Sequence, residues 1–229
     1  MINPTTVVQN YRRVREVINE ACQLVGRDPS EVAILPVSKT QPVTMIEPLI
    51  KLGCLSFGEN RVQEMAAKAG ELDGKVSWIL IGHLQRNKVA LAASVMSQLQ
   101  SLDSLRLALA IQRHFDSAGI ERRLPVLVEV NTSNQATKTG LPPDQVIYFT
   151  SQLSSFDHLQ PCGLMTVAHT DPEMAQVGFA TLANLLSQLQ DRDGGGWAEL
   201  SMGMSGDYKA AIQHGSTCVR IGTAIFGMR

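Results

Sequence analysis

The run Val32-Ala33-Ile34-Leu35-Pro36-Val37, followed at once by Ser38-Lys39-Thr40, decides how this chain is read. Six apolar residues in succession leave neither face of a strand polar. Strands of that kind lie inside parallel sheets covered on both sides. The same alternation repeats outward from it. Further strands are expected at residues 55–57, 78–81, 98–101, 125–130, 159–165, 199–202 and 217–221, which makes eight in all. Amphipathic stretches fall between them at 43–52, 62–69, 87–95, 105–118, 144–153, 173–189 and 208–214. Each crossover in such a chain must be right-handed and lay a helix back over the sheet. Eight β-α units favour a closed (β/α)8 TIM-type barrel, with an open doubly wound sheet as the alternative.

An extra helix precedes the first strand. Val7, Val14, Val17, Ile18, Ala21 and Val25 recur at helical spacing before Gly26, and this helix is expected to cap the barrel bottom or flank it. No linker divides the 229 residues, so residues 1–229 read as one domain. Asp191-Arg192-Asp193-Gly194-Gly195-Gly196 reads as a surface loop.

Composition narrows the function. Hydrophobic residues make up 44% of the chain and charged residues 18%, with a formal charge of -1. That balance supplies no field for a polyanion, so nucleic acid is not an expected partner. Arg12-Arg13 and Arg122-Arg123 read as solvated faces. Cys22, Cys54, Cys162 and Cys218 form no CxxC pair and are expected to be reduced, mostly buried thiols, with no metal. The start Met1-Ile2-Asn3-Pro4 lacks the basic-then-apolar order of a signal peptide, and no apolar run approaches the ~20 residues that span a bilayer. A cytoplasmic protein without a membrane partner is expected.

In barrels of this type the active site forms where the strands end and the βα loops converge. Lys39 reads as the last position of the first apolar strand, pointing toward the mouth and partly out of water, where desolvation favours the free amine of a lysine and readies it for Schiff-base chemistry. A lysine snorkelling to solvent is the plainer reading. The second strand runs into Gly58-Glu59-Asn60-Arg61, where Glu59 or Asn60 either caps the next helix or faces a ligand. Gly82-His83-Leu84-Gln85-Arg86-Asn87-Lys88 follows the third, with His83 best placed to face the cavity. Leu200-Ser201-Met202-Gly203-Met204-Ser205-Gly206-Asp207 ends a strand and opens a helix, so exposed amides, the helix dipole and the Ser205 hydroxyl suit an anion. In Val219-Arg220-Ile221-Gly222-Thr223-Ala224 the glycine admits a ligand close to the backbone. Phosphate sites built from the last two βα loops recur in barrels.

Together with Gly163-Leu164-Met165-Thr166, these motifs resemble, in order and over essentially the whole chain, the pyridoxal phosphate homeostasis proteins (the YggS/PROSC group), which are related to the barrel domain of alanine racemase. The resemblance implies a barrel that binds pyridoxal 5'-phosphate (PLP) as a Schiff base on Lys39. It implies that Ser205, with the amides around Gly206, Gly222 and Thr223, holds the phosphate, and that Arg220 faces the pyridine nitrogen. Asn60, His83 and Met165 would line the ring pocket. Thr166-Val167-Ala168-His169-Thr170 departs from the family pattern, so no role transfers to His169, which reads as a loop histidine.

Three functions remain open on these residues: a PLP carrier acting in homeostasis, an amino-acid racemase or decarboxylase, and a barrel enzyme acting on another phosphorylated metabolite with Lys39 as its amine. Guanidinium stays protonated, and as partner to the ring it leaves the pyridine nitrogen unprotonated and the ring a poor electron sink. The sequence also stops after the last strand motif, leaving no room for the β-domain that brings a racemase its second base. The carrier is therefore the expected function, with PLP-dependent apo-enzymes as acceptors of the cofactor and a monomer as the expected state.

Overall fold

The structure is a computed structural model that describes residues 3–133, 135 and 138–228. Helix α1 (Pro4–Leu24) leads, begun by the Asn3 side chain accepting from Thr6 N–H at 2.9 Å. The strands are β1 (Ala33–Pro36), β2 (Ser56–Glu59), β3 (Ser77–Leu80), β4 (Met96–Leu102), β5 (Leu124–Glu129), β6 (Leu159–Met165), β7 (Glu199–Ser201) and β8 (Cys218–Ile221). Between them run α2 (Val43–Ile50), α3 (Val62–Leu72), α4 (Val89–Ala93), α5 (Leu105–Ala118), α6 (Val146–Gln152), α7 (Pro172–Asp193) and α8 (Tyr208–Gln213), and α9 (Thr223–Phe226) follows β8.

Every strand is parallel to its neighbours in the order β1-β8-β7-β6-β5-β4-β3-β2. The β1–β8 ladder, Ala33↔Cys218 through Pro36↔Ile221, leaves β1 and β2 as the two ends of this order, and their pairing with each other removes the open-sheet alternative. A parallel bridge between Val37 and Gly58 completes the circle, with Ser38 N–H donating to the Gly58 carbonyl at 3.1 Å. The chain is a (β/α)8 barrel.

Helix α1 does not cap the barrel bottom. It packs against α2, α8 and α9, and so flanks the wall beside β8 and β1. Its Val7, Val14, Ile18, Ala21 and Cys22 are buried there, each valine or isoleucine contributing about 1.5–3 kcal/mol of burial. Two hydrogen bonds fix its pitch, Asn10 Nδ2 to the Ile225 carbonyl and Arg15 Nη1 to the Val32 carbonyl, both at 2.9 Å.

Two local expectations change. The 191–196 loop begins later than its composition suggests, because α7 runs on to Asp193, whose carboxylate accepts from Trp197 Nε1 at 2.8 Å. Arg122 and Arg123 are exposed, as their sequence suggests. Each also reaches back to the backbone, Arg122 donating to the Ala93 and Met96 carbonyls beyond α4 and Arg123 to the Leu159 carbonyl. The 87–95 stretch divides into a short 3-10 turn over Arg86–Lys88 and the single turn of α4.

The barrel interior carries a polar column. Strands β4 and β7 are not neighbours, so hydrogen bonds between them must cross the lumen. Gln98 donates to Glu199 at 2.9 Å, Gln100 donates to Gln98 at 2.9 Å, and Ser201 donates to Gln100 at 2.6 Å. Cys162 lies beside this column, and burial pushes its thiol up to about 12. Cys22, Cys54, Cys162 and Cys218 are all unpaired thiols, two of them (Cys22 and Cys218) buried.

Candidate functional site

A cavity of about 350 Å³ opens at the C-terminal mouth, lined by residues from β1, β2, β3, β6, β7 and β8 or the loops after them. Seven of the nine residues singled out in the sequence line it: Lys39, Asn60, Ser205, Gly206, Arg220, Gly222 and Thr223. Val37, Ile81, Val167 and Met204 supply the apolar remainder of the wall. Apolar walls with a few convergent polar groups are the ordinary make-up of a small-molecule site.

Lys39 is half-buried and stands on the turn after β1, not on the strand itself. The apolar run stops pairing at Val37, and Ser38, Lys39 and Thr40 carry the chain round to α2. Thr40 has φ of 63°, a left-handed conformation uncommon outside glycine and asparagine. Beneath the turn lies a buried polar cluster. Ser38 Oγ donates to Glu59 Oε1, and Lys68 Nζ donates to the Ser38 carbonyl, Glu59 Oε1 and Glu64 Oε1, all at 2.7 Å. Burial raises the Glu59 carboxyl, against the lowering influence of Lys68 and Ser38. For Glu64 desolvation is the largest influence and raises it, yet the Lys68 hydrogen bond, the Thr40 amide and nearby cations together bring it below the usual value. Glu59 therefore does not cap α3, and neither does Asn60: the cap position belongs to Arg61, with no side-chain hydrogen bond.

Opposite Lys39, two loops close the cavity. The helix after β7 starts only at Tyr208, so Ser205 and Gly206 lie on the turn before it and not in its first helical turn. Ser205 Oγ accepts from the Ala224 amide at 3.1 Å, which ties this turn to the β8 loop and leaves the hydroxyl hydrogen free to donate. Gly203 makes the bend, with φ of +95° and a position where a Cβ would stand 2.7 Å from the Ala211 side chain.

Arg220 is 3% exposed. Its Nη1 donates to the Ser201 carbonyl at 2.6 Å and to Ser201 Oγ at 2.8 Å, and its Nη2 to the Thr166 carbonyl at 2.6 Å. Burial lowers its pKa, but a guanidinium starts so far above neutrality that it keeps its charge. Through Ser201 it forms the upper end of the polar column. The head group is thereby fixed in orientation as well as charge.

Two residues stand elsewhere. Met165 is fully buried at the end of β6, paired with Glu129 and Ser201 in register, and Val167, two residues on, lines the cavity in its place. His83 is half-exposed, donates from Nδ1 to Asp103 Oδ2 at 3.1 Å, and lines neighbouring surface clefts instead. The chain turns at Gly82, where a Cβ would lie 2.3 Å from the Asn60 carbonyl, and this close approach carries His83 past the mouth. His169 is a loop residue, hydrogen-bonded to Gln135 and to the Asp171 amide.

What the sequence reading missed is the Glu59–Glu64–Lys68 cluster. A signal existed in the i, i+4 spacing of Glu64 and Lys68 on α3, yet such a pair reads by default as a solvated helix face. Only the packing of α3 beneath the Lys39 turn buries it.

The chain matches the family described as alanine racemase, N-terminal domain, over residues 2–229. A pyridoxal phosphate homeostasis protein of Pseudomonas aeruginosa is 38% identical over 230 residues, covering 98% of this chain and 96% of that protein. The human pyridoxal phosphate homeostasis protein is 36% identical over 234 residues, covering 94% and 85%. Among solved structures, PipY of Synechococcus elongatus with PLP bound superposes with a TM-score of 0.79 at 32% identity, covering 92% of this chain and all of that one. An alanine racemase of Clostridium difficile shares the fold, with a TM-score of 0.77 at 16% identity, and this chain spans 57% of its length. With its closed parallel barrel and near full-length identity to these relatives, the chain belongs to the pyridoxal phosphate homeostasis family, built on the barrel of the alanine racemase N-terminal domain.

Proposed function

We propose that this protein binds PLP at the barrel mouth, holds it as a Schiff base on Lys39, and acts in PLP homeostasis without substantial turnover of amino acids. The observation that carries the reading is the convergence on one cavity of a lysine amine, a buried guanidinium and two hydrogen-bonding turns. Those groups fit the cofactor. An aldehyde needs an amine, a phosphate dianion needs several donors, and a flat ring needs apolar walls. Lys39 supplies the first. Ser205 with the backbone around Gly206, Gly222 and Thr223 supplies the second, and Val37, Ile81, Val167 and Met204 supply the third. Met165 would act only as the packing layer beneath the ring, and His83 only at the rim.

Bound PLP supplies an electron sink whose strength depends on protonation of its ring nitrogen. Arg220 is the residue that would face that nitrogen. A guanidinium anchored by the Ser201 and Thr166 carbonyls can donate but not accept, so it keeps the nitrogen unprotonated. The ring then stabilises a carbanion weakly, which suits storage and transfer better than racemisation or decarboxylation. The family names of the relatives and the PLP-bound PipY structure support the same reading. A cytoplasmic monomer that passes PLP to apo-enzymes completes the proposal. Among the described residues no helix is long and apolar enough to cross a membrane.

The test is α-proton exchange of alanine in deuterated water by the PLP-saturated protein. The expected rate is far below enzyme turnover. Exchange on the order of 1 per second or faster would make the protein a PLP-dependent racemase or a related enzyme.

A further inference from the structure

We propose that Glu64 and Lys68 of α3 are positioning residues that set the aim of the Lys39 amine by clamping the peptide groups on both sides of it. The inference rests on the proposed Schiff base at Lys39 and assigns how that base is brought into place.

The geometry is specific. The carbonyl of Ser38 belongs to the peptide before Lys39, and Lys68 Nζ donates to it at 2.7 Å. The N–H of Thr40 belongs to the peptide after Lys39, and it donates to Glu64 Oε1. Glu64 and Lys68 are themselves joined at 2.7 Å, one helical turn apart, so both flanking peptides are held by a single rigid unit. Ser38 is fixed a second time by its hydroxyl on Glu59 and a third by its amide on the Gly58 carbonyl. Lys68 is almost fully buried and Glu59 wholly so, which keeps water from competing for these bonds.

The Lys39 turn needs such a clamp. It lies outside the barrel ladder, and Thr40 takes a left-handed conformation that a non-glycine residue holds only when its surroundings enforce it. A long side chain swings through a wide arc when its backbone rotates. Fixing both peptides limits that arc and holds the amine over the cavity. Schiff-base formation joins Lys39 Nζ to the aldehyde carbon and releases the aldehyde oxygen as water with the two amine hydrogens. Its rate depends on how often the unprotonated amine lies in line with the carbonyl. The phosphate contacts come from the β7 and β8 loops, remote from α3, and do not depend on the clamp.

These dependencies separate in one experiment. PLP is mixed with wild type and with Glu64→Ala, Glu64→Asp and Glu64→Gln, and the Schiff base is followed by absorbance and by borohydride trapping with peptide mapping. Affinity for pyridoxine 5'-phosphate, which carries the phosphate but no aldehyde, is measured alongside. Alanine and aspartate, which cannot reach Thr40 N–H, are expected to slow trapping at Lys39 about tenfold, the change produced by about 1.4 kcal/mol in the barrier. Glutamine keeps an acceptor at the same reach and is expected to restore most of the rate. Affinity for pyridoxine 5'-phosphate is expected to stay within about twofold throughout. Wild-type trapping rates in the alanine and aspartate variants would overturn the assignment. A parallel loss of pyridoxine 5'-phosphate affinity would also overturn it, since that is what general loosening of the barrel would cause. Absence of any trapped adduct at Lys39 in wild type would remove the Schiff-base reading, and the clamp with it, whereas a wild-type adduct with unaffected variants removes the clamp alone.

Discussion

Replacing Lys68 by methionine preserves most of the side-chain volume and removes one charge from beneath the Lys39 turn. Lys68 Nζ has three acceptors at 2.7 Å: Ser38 O, Glu59 Oε1 and Glu64 Oε1. Glu59 is 0% exposed, and its second oxygen, Oε2, is buried with no partner, so the variant strands a carboxylate that has no other cation in contact. Breaking a buried pair from one side costs about 3–5 kcal/mol. At about 2–4 °C per kcal/mol for a chain of this size, the melting midpoint should fall by about 6–20 °C. The double variant Lys68→Met with Glu59→Gln removes the stranded charge and should recover at least half of that loss, because replacing both partners of a buried pair is often close to neutral.

The pH dependence follows from the two carboxyls. Burial raises Glu59, so its contribution to stability is present in full below the ordinary carboxyl value and is lost as pH rises through its folded value. Without Lys68 nothing opposes that rise, and the loss reaches further toward neutrality. Desolvation raises Glu64, but Lys68 and the other partners bring it below its ordinary value overall; the resulting stabilisation is present above that value and lost as pH falls through the folded one. Both effects make the Lys68→Met deficit smallest in acid, below the ordinary carboxyl range, and larger as pH rises above it. The assay is urea unfolding of the cofactor-free protein at a series of pH values. A deficit that is constant with pH, or larger in acid, would refute the argument.

Ser205→Ala deletes one charge-assisted donor of several and should weaken PLP about ten- to a hundredfold in equilibrium titration, with pyridoxal, which lacks the phosphate, little affected. Lys39→Ala should abolish borohydride trapping while leaving residual binding through the phosphate contacts, and a mapped adduct that persists would remove Lys39 as the attachment point. Gly82→Ala forces a methyl against the Asn60 carbonyl at 2.3 Å and should destabilise the protein by about 1–3 kcal/mol in the same urea assay, with an unchanged midpoint counting against the close approach.

The sequence by itself determined eight β-α units and favoured the barrel; closure was decided by the pairing of β1 with both β8 and β2. Eight apolar runs with helices between them leave few topologies, and β6 matches the expected 159–165 in both bounds. It also singled out candidate loops, since polar residues directly after buried strands are costly unless they are used. Lys39 and Ser205 were legible on that ground and Gly222 as a close-approach glycine, whereas Asn60, Gly206, Arg220 and Thr223 came from the family resemblance; all seven line one cavity.

Only the tertiary structure decided the rest. It placed α1 on the barrel flank, because helical spacing shows that a face is apolar but not which surface will cover it. His83 was carried past the mouth by the close approach of Gly82 to Asn60, an event of backbone packing that leaves no mark on residue type. Most of all, the fold joined Ser38, Glu59, Glu64 and Lys68 beneath the Lys39 turn. Those four residues come from β2, α3 and the turn after β1, and their separate positions in the chain are each satisfied by ordinary solvation. Their meeting depends on the angle at which α3 returns over the sheet, a property of the packed barrel and of no single segment.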